Sequence, residues 1–373
     1  KTKIKFKKVK KIVKVIFVLT KCRFDFKLVK KERLLVFDTL SLELVSKLKK
    51  FEVLDVRYKV FNFWILLENF LQFKFTFRDY ILTFISKVNP KVVITFNDNY
   101  LLFFKLKTYF PKIKFIAVQN GYRHKLQLED FKKFKNSKLS VDYFFTFGKN
   151  SEIFYKKFLK CDNFIELGSF RNNNIKLKKS TEKKNILFIS QFRYKNLNKD
   201  DNFNVESEII KIINIFCMKK KIKLFVATAS IKNYLEEKLF LFSKLPKKHN
   251  VYEIKKKKRY GNYSLINKFE TIVFVDSTLG YEAIARNKKV IAISCRKDKD
   301  KITSPFGFPT NKKKRGFFFT NFNSKKEILR VLNNVYSLPK IKWLKNYQEK
   351  LDRLMTFNKN NIKLQKTVVK LIS

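Results

Sequence analysis

Glycine and proline are scarce, at seven and six residues in a chain of 373. So few glycines leave no GxGxxG fingerprint for a dinucleotide and no GxxxxGK[ST] loop for a nucleoside triphosphate. Histidine occurs twice, at His124 and His249. The four cysteines, Cys22, Cys161, Cys217 and Cys295, stand far apart without CxxC or Cys/His spacing, which argues against a zinc centre or a redox pair. No DxD pair follows a strand-like run, and Asp200-Asp201 and Asp298-Lys299-Asp300 lie in polar loops. Metal-independent chemistry without a resident cofactor is therefore expected. Charged residues interrupt every apolar run before the roughly 18 residues that a membrane span needs. The stretch Ile12–Leu19 is short and holds Lys14, so it does not fit a signal peptide. A cytoplasmic location is expected, with peripheral association at the inner face of the membrane left open.

What is abundant is basic and apolar. Lysine and arginine number 85 against 31 acids, a net charge of +54, while 45% of the residues are hydrophobic and 16% aromatic. That apolar content excludes disorder as the overall state. The chain is rich in Lys, Asn, Ile and Phe, residues with A- and T-rich codons, so nucleotide bias and function are both open as sources of the charge. The charge still draws the protein to anionic membranes and nucleic acids at low salt. No helix-turn-helix, RRM, KH or zinc-finger pattern accompanies it, so no specific nucleic-acid partner is expected.

Short β-branched and aromatic runs alternate with longer segments of i, i+3, i+4 apolar spacing. The first half predicts strands at Ile12–Leu19, Leu34–Phe37, Val53–Val56, Val92–Phe96, Phe115–Gln119, Tyr143–Phe147 and Phe164–Leu167. Helices are predicted over Ser41–Lys50, Val60–Phe73, Phe77–Val88, Tyr100–Phe110 and Ser151–Lys160. The polar stretch Arg171–Lys184 reads as a linker. Alternation then resumes from strand Ile186–Ser190 through strands at 224–228, 251–254, 271–275 and 290–294, with helical tails at 325–336, 341–354 and 361–372. The expectation is an α/β protein with an N-terminal Rossmann-like domain (residues 1–170), a linker (171–184), a second Rossmann-like domain (185–340) and C-terminal helices (341–373). The aromatic stretch Phe61–Phe77 suits either a buried helix or a membrane-facing one, and burial is the default for a helix apolar on most faces.

Ligands of open α/β sheets gather at the carboxyl ends of strands. There the richest local signal is Thr271–Asn287, TIVFVDSTLGYEAIARN, in which a strand turns at Asp276-Ser277-Thr278 into a helix carrying Gly280 and Glu282. The hydroxyls and backbone N–H groups of such a turn suit a phosphate, and Glu282 lies within reach of ribose hydroxyls. A plain Ser/Thr helix cap is the structural alternative.

The block Tyr263–Ser294, with Ser277, Thr278, Gly280, Glu282 and Ala283 in a Ser-Thr-x-Gly-x-Glu-Ala pattern, resembles the donor-binding region of GT-B glycosyltransferases. More closely it is similar to bacterial surface-carbohydrate (O-antigen and capsule) biosynthesis proteins. Ile116–His124 (IAVQNGYRH) and Ser304–Phe319 (SPFGFPTNKKKRGFFF) are similar to further segments of that family. The resemblance implies two Rossmann-like domains facing each other across a cleft, a nucleotide-sugar donor, and a glycan or lipid-linked acceptor. On that reading Ser277, Thr278, Gly280 and Glu282 hold the donor, joined by Gln191, Arg193 and Tyr252. Asn97, Gln119, Asn120 and Gly121 lie on the acceptor side, and His124 or Asp98 is the catalytic base. Arg193 would offset charge on the leaving nucleotide. A sugar-nucleotide epimerase, a polyol-phosphate transferase, a nucleic-acid-binding protein and a non-catalytic scaffold are the competing readings.

Overall fold

Strands form where short apolar runs can be covered on both faces, and the computed structural model arranges them in two parallel six-stranded sheets and a separate two-stranded pair. It describes residues 20–39, 50–57, 59–123, 139–192, 205–246, 249–257, 261–296 and 315–373. The expected strand Ile12–Leu19 and all but the last residue of the expected helix Ser41–Lys50 lie outside these residues. So do His124, Arg193, the Asp200-Asp201 and Asp298–Asp300 acids, and most of Ser304–Phe319.

The strands are β1 (Arg23–Asp25), β2 (Leu34–Phe37), β3 (Glu52–Leu54), β4 (Val60–Asn62), β5 (Val92–Thr95), β6 (Lys114–Val118), β7 (Ser140–Thr146) and β8 (Lys160–Glu166). The second half adds β9 (Glu182–Ile189), β10 (Leu224–Ala227), β11 (Val251–Ile254), β12 (Phe269–Phe274), β13 (Lys289–Ile293) and β14 (Phe319–Thr320). The first sheet has the order β3-β2-β5-β6-β7-β8 and the second β11-β10-β9-β12-β13-β14. In each, the chain winds outward from one central strand and then returns to its other side. Each sheet thus has a topological switch point, at β2/β5 and at β9/β12.

Pleating explains the cores. Leu35 and Phe37 of β2 point to one face of the first sheet, packed with Ile81, Ile85 and Phe103. Leu34 and Val36 point to the other face, against Leu364 and Val368. Those last two residues belong to the final helix, Ile362–Ile372. The chain therefore returns from the second lobe to cover the back of the first sheet.

Local differences from the sequence reading have physical causes. Residues 60–62, expected as helix, form β4 and pair in parallel with β1. Asn62 then caps the Phe63–Leu71 helix by accepting from the Ile65 N–H. The helix expected over Ser151–Lys160 stops at Tyr155, because Lys160–Glu166 pairs along β7 as an edge strand. The linker is not a solvated loop. Asn172 and Asn173 are buried, and the Arg286 guanidinium donates to Asn172 Oδ1 (2.9 Å), Ile175 O (3.2 Å) and Lys176 O (2.8 Å). Lys288 Nζ adds a bond to Ser180 Oγ at 2.7 Å, and burial pushes its pKa down to about 8.

Gly168 sits where the linker leaves β8, at φ +79°, and a Cβ there would lie 2.0 Å from Thr356 O. Both the left-handed backbone and the crossing strand of chain require glycine. Gly168→Ala is expected to cost about 2–4 kcal/mol in chemical denaturation. Gly121→Ala, whose Cβ would meet only the flexible Arg123 side chain at 3.4 Å, is expected to be near neutral.

Candidate functional site

The site grows from the carboxyl edge of the second sheet. β9 and β12 lie side by side at its switch point, and the residues that follow them, Ser190-Gln191 and Ser277-Thr278-Leu279, form the floor and one wall of a cleft of about 250 Å³. Ala229 and Lys256 enter from the ends of β10 and β11, and Asn262 and Tyr263 from the helix before β12. Asn120, at the end of β6 in the first sheet, and Arg171, from the linker, close the opposite side. The cleft therefore lies between the lobes.

A buried carboxylate shapes its rim. Glu237, on the Tyr234–Phe242 helix, accepts from the Ser190 hydroxyl (2.6 Å), the Ala229 N–H (2.7 Å) and the Ser230 N–H (2.7 Å). One side chain thereby ties the ends of β9 and β10 together. Burial raises its pKa, and the three donors oppose the rise. Thr228 does similar work next door: its hydroxyl accepts from the Lys256 N–H at 2.9 Å and its carbonyl from Asn262 Nδ2 at 2.8 Å.

The opposite wall is pinned to the first lobe. The Tyr122 ring stacks on Tyr281 with centroids 3.7 Å apart, and the Tyr122 N–H donates to Thr278 Oγ1 at 3.2 Å. Glu282 Oε1 accepts from the Ser169 hydroxyl and from the Tyr263 hydroxyl, the latter at 3.0 Å.

These positions can be set against the expected roles. Gln191, Ser277, Thr278, Glu282 and Asn120 come together in the cleft. Ser277 has the extended backbone of a helix cap, yet its hydroxyl makes no cap bond. Gly280 does not line the cleft. A Cβ on it would fall 2.1 Å from Phe274 Cγ, so its role is to let the helix close onto β12. Tyr252 lies on edge strand β11, stacked on Phe225 and away from the cleft. Gln119 is a latch: its Oε1 accepts from the Phe147 N–H (2.8 Å) and its Nε2 donates to Gly121 O (3.0 Å). Asn97 belongs to a separate cluster at the other switch point, donating to Asp38 Oδ2 at 3.1 Å beside the Asp38–Arg57 ion pair.

Asp98 does not suit the role of base. It is fully buried, and Arg123 grips both its oxygens, with Nε on Oδ2 at 2.9 Å. The Tyr155 hydroxyl (2.6 Å) and the Asn120 N–H (3.2 Å) occupy it further. A carboxylate held this way is a structural anchor for the loops after β5 and β6. Its neighbour Asn120 is also tied down, by Nδ2 to Phe96 O at 2.6 Å.

The sequence reading missed Arg171, Ser190, Lys256, Asn262 and Tyr263 as cleft residues. Ser190 directly follows β9, whose apolar end the sequence located, and Tyr263 opens the block already singled out, so position alone could have flagged both. Arg171 opens the stretch read only as a linker, and nothing in its local pattern shows that it reaches the cleft.

A family model described as "putative O-antigen biosynthesis protein" matches residues 116–372, and so spans both walls of the cleft. The chain belongs to that family. No curated protein matches it in sequence. Among solved structures it is similar to the UDP-GlcNAc 2-epimerase from Methanocaldococcus jannaschii (12% identity, TM-score 0.51, covering 90% of this chain and 99% of that one). It is also similar to the UDP-GlcNAc 2-epimerase from Neisseria meningitidis bound to UDP-GlcNAc (14%, 0.46, 90% and 99%). A third is the sucrose-phosphate synthase from Thermosynechococcus elongatus (12%, 0.47, 86% and 83%). The likeness to the Methanocaldococcus jannaschii structure, with the two parallel sheets, shows that this O-antigen family member has the two-lobed GT-B fold.

Among the residues lining this cleft, Glu282 is the carboxyl group. Burial raises its pKa from the ordinary 4.5 to about 7, opposed by the Ser169 and Tyr263 hydrogen bonds and by the Arg171 and Arg286 charges. The native state therefore holds this proton more tightly than the unfolded chain. The associated stability is fully present below pH 4.5 and is lost as pH rises through about 7. Relative to Glu282→Gln, the wild type should lose about 3 kcal/mol between about pH 4 and pH 8, read from denaturant midpoints at each pH. Asp98→Ala should cost about 3–5 kcal/mol at any pH in that range, because it leaves Arg123 charged and buried without a partner.

Proposed function

We propose that the protein transfers a sugar from a nucleotide-sugar donor to a glycan or lipid-linked acceptor in surface-polysaccharide assembly. One observation carries the reading. The interlobe cleft at the β9/β12 switch point combines two cationic side chains, Arg171 and Lys256, with the hydroxyls of Ser190, Ser277 and Thr278. That chemistry recognises a diphosphate, and the cations offset the charge that develops on a departing nucleotide. Glu282 and Asn262 line the same space and offer hydrogen bonds to sugar hydroxyls. Family membership supports a carbohydrate role. The reaction is proposed to run without metal or cofactor, and the acceptor to enter from the side of Asn120 and Gly121.

Epimerisation of a nucleotide sugar on the same fold is the competing reading. It calls for cleft carboxyl groups free to move protons. Among the described residues, Asp98 is paired with Arg123, and Asp276 and Glu206 are both paired with buried Arg296. Glu282 alone of these acids lines the cleft. This pairing supports transfer over epimerisation.

A thermal-shift series with nucleoside diphosphates and nucleotide sugars tests the donor. One nucleobase class should raise Tm, since a ligand at a hundred times its Kd adds about 2.7 kcal/mol to the native state. Lys256→Ala and Arg171→Ala should each shrink the shift. A flat response to every nucleotide would remove the donor reading. With the stabilising nucleotide sugar in hand, release of the nucleoside diphosphate upon adding a glycan acceptor marks transfer. Conversion to an epimeric nucleotide sugar without release would mark epimerisation.

A further inference from the structure

The Phe61–Phe77 stretch, expected to be buried, is buried on one side only. Phe61, Ile65 and Asn69 face inward. On the other side of the Phe63–Leu71 helix, Trp64, Leu67 and Leu71 face solvent at the i, i+3, i+7 spacing of a single helical face, and Phe70 is exposed beside them. The patch continues past both helix ends through aromatic contacts. Phe26 packs on Phe63 with centroids 5.1 Å apart, and its carbonyl accepts from Trp64 Nε1 at 2.7 Å, which settles the indole N–H and leaves its apolar edge outward. At the other end Phe75 packs against Phe70 (6.1 Å) and Phe73 (6.4 Å).

Phe73 is the most telling residue. It adopts φ +55°, with its N–H bonded to Phe70 O and the Lys74 N–H bonded to Asn69 O, a helix ending where glycine is usual. Here a bulky ring takes the left-handed position at an energetic cost and stands 84% exposed. Among the described residues, contact with Phe75 leaves most of that ring uncovered.

Charge identifies the occupant. The helix carries one acid, Glu68, which is paired with Lys87 at 2.9 Å. Exposed Lys27, Lys74 and Arg78, the last 4.0 Å from Asp79, stand on the segments around the apolar face. A second copy of the chain would bring +54 against +54, whereas an anionic surface complements the rim. Aromatic and leucine side chains ringed by lysine and arginine suit the interface between lipid headgroups and acyl chains. We infer that the Phe63–Leu71 helix and the Phe73–Phe75 turn form a docking surface for an anionic lipid bilayer, with the helix lying in the membrane plane and Trp64, Leu71 and Phe73 inserted. The surface is separate from the donor cleft, and its test needs no nucleotide.

The full chain is sedimented with vesicles of phosphatidylcholine, alone or mixed with phosphatidylglycerol, at physiological ionic strength. Partition should be at least about tenfold stronger on the anionic vesicles. Trp64 emission should shift to the blue on binding. The other tryptophan, Trp343, is fully buried, so Trp64→Phe should abolish the shift. Leu67→Ser, Leu71→Ser and Phe73→Ser combined alter only solvent-facing side chains, so the circular-dichroism melt should persist while partition falls about tenfold or more. Undiminished sedimentation of this triple variant, with its melt intact, would reduce the effect to bulk charge and overturn the proposal. An unshifted Trp64 on anionic vesicles would overturn it too. So would a wild-type dimer in solution that the triple variant converts to monomer, since the face would then belong to a second copy.

Discussion

The seam between the linker and the Thr278–Ile284 helix holds the two lobes in register, and the cleft exists because of it. Arg286 spends its guanidinium on linker oxygens and Asn267, Glu282 takes the Ser169 hydroxyl, and Tyr122 stacks on Tyr281. Each of these groups would be costly to bury alone. Together they satisfy one another, so the helix that carries the cleft's hydroxyls is positioned by both lobes. The returning chain reinforces the seam: Thr356 donates to Phe147 O at 2.8 Å, and the final helix covers the back of the first sheet.

The same economy governs charge. In a chain with a large surplus of cations, the buried acids are claimed by arginines and lysines. Asp98 goes to Arg123, Asp142 to Lys107 and Lys114, and Glu206 and Asp276 to Arg296. Most of these pairs anchor loops at strand ends, where an uncompensated charge would be expelled. Glu282 and Glu237 stand apart, since hydroxyls and N–H groups hold them. That difference gives the cleft one titratable carboxyl near neutrality instead of a fixed negative charge.

Much of the fold was legible because hydrophobic periodicity is a local signal. Strands such as Leu34–Phe37 and Val92–Thr95, and helices such as Phe77–Val88 and Lys325–Ser337, sit close to their expected places. The failures share a cause. Val60–Asn62 became a strand because β1 lay beside it, and the Ser151–Lys160 helix was cut short because β7 offered an edge. Asp98, Gln119 and Gly280 carry plausible side chains at strand ends, yet each is spent on packing or on a neighbour that lies far away in sequence or on another strand. Residue type shows what chemistry a side chain can do, and partners decide what it does.

Taken alone, the sequence determined the α/β class, the doubling of the alternating pattern, and the turn at Ser277-Thr278 where a buried strand passes into a helix. Those features depend on contacts within a dozen residues or so, which spacing records directly. Only the tertiary structure decided that the linker is buried, that Arg171 and Lys256 reach the cleft, that Asp98 is locked, and that Trp64 and Phe73 face outward. Those outcomes depend on groups brought together from distant parts of the chain, and burial and charge pairing at such distances leave no periodic trace.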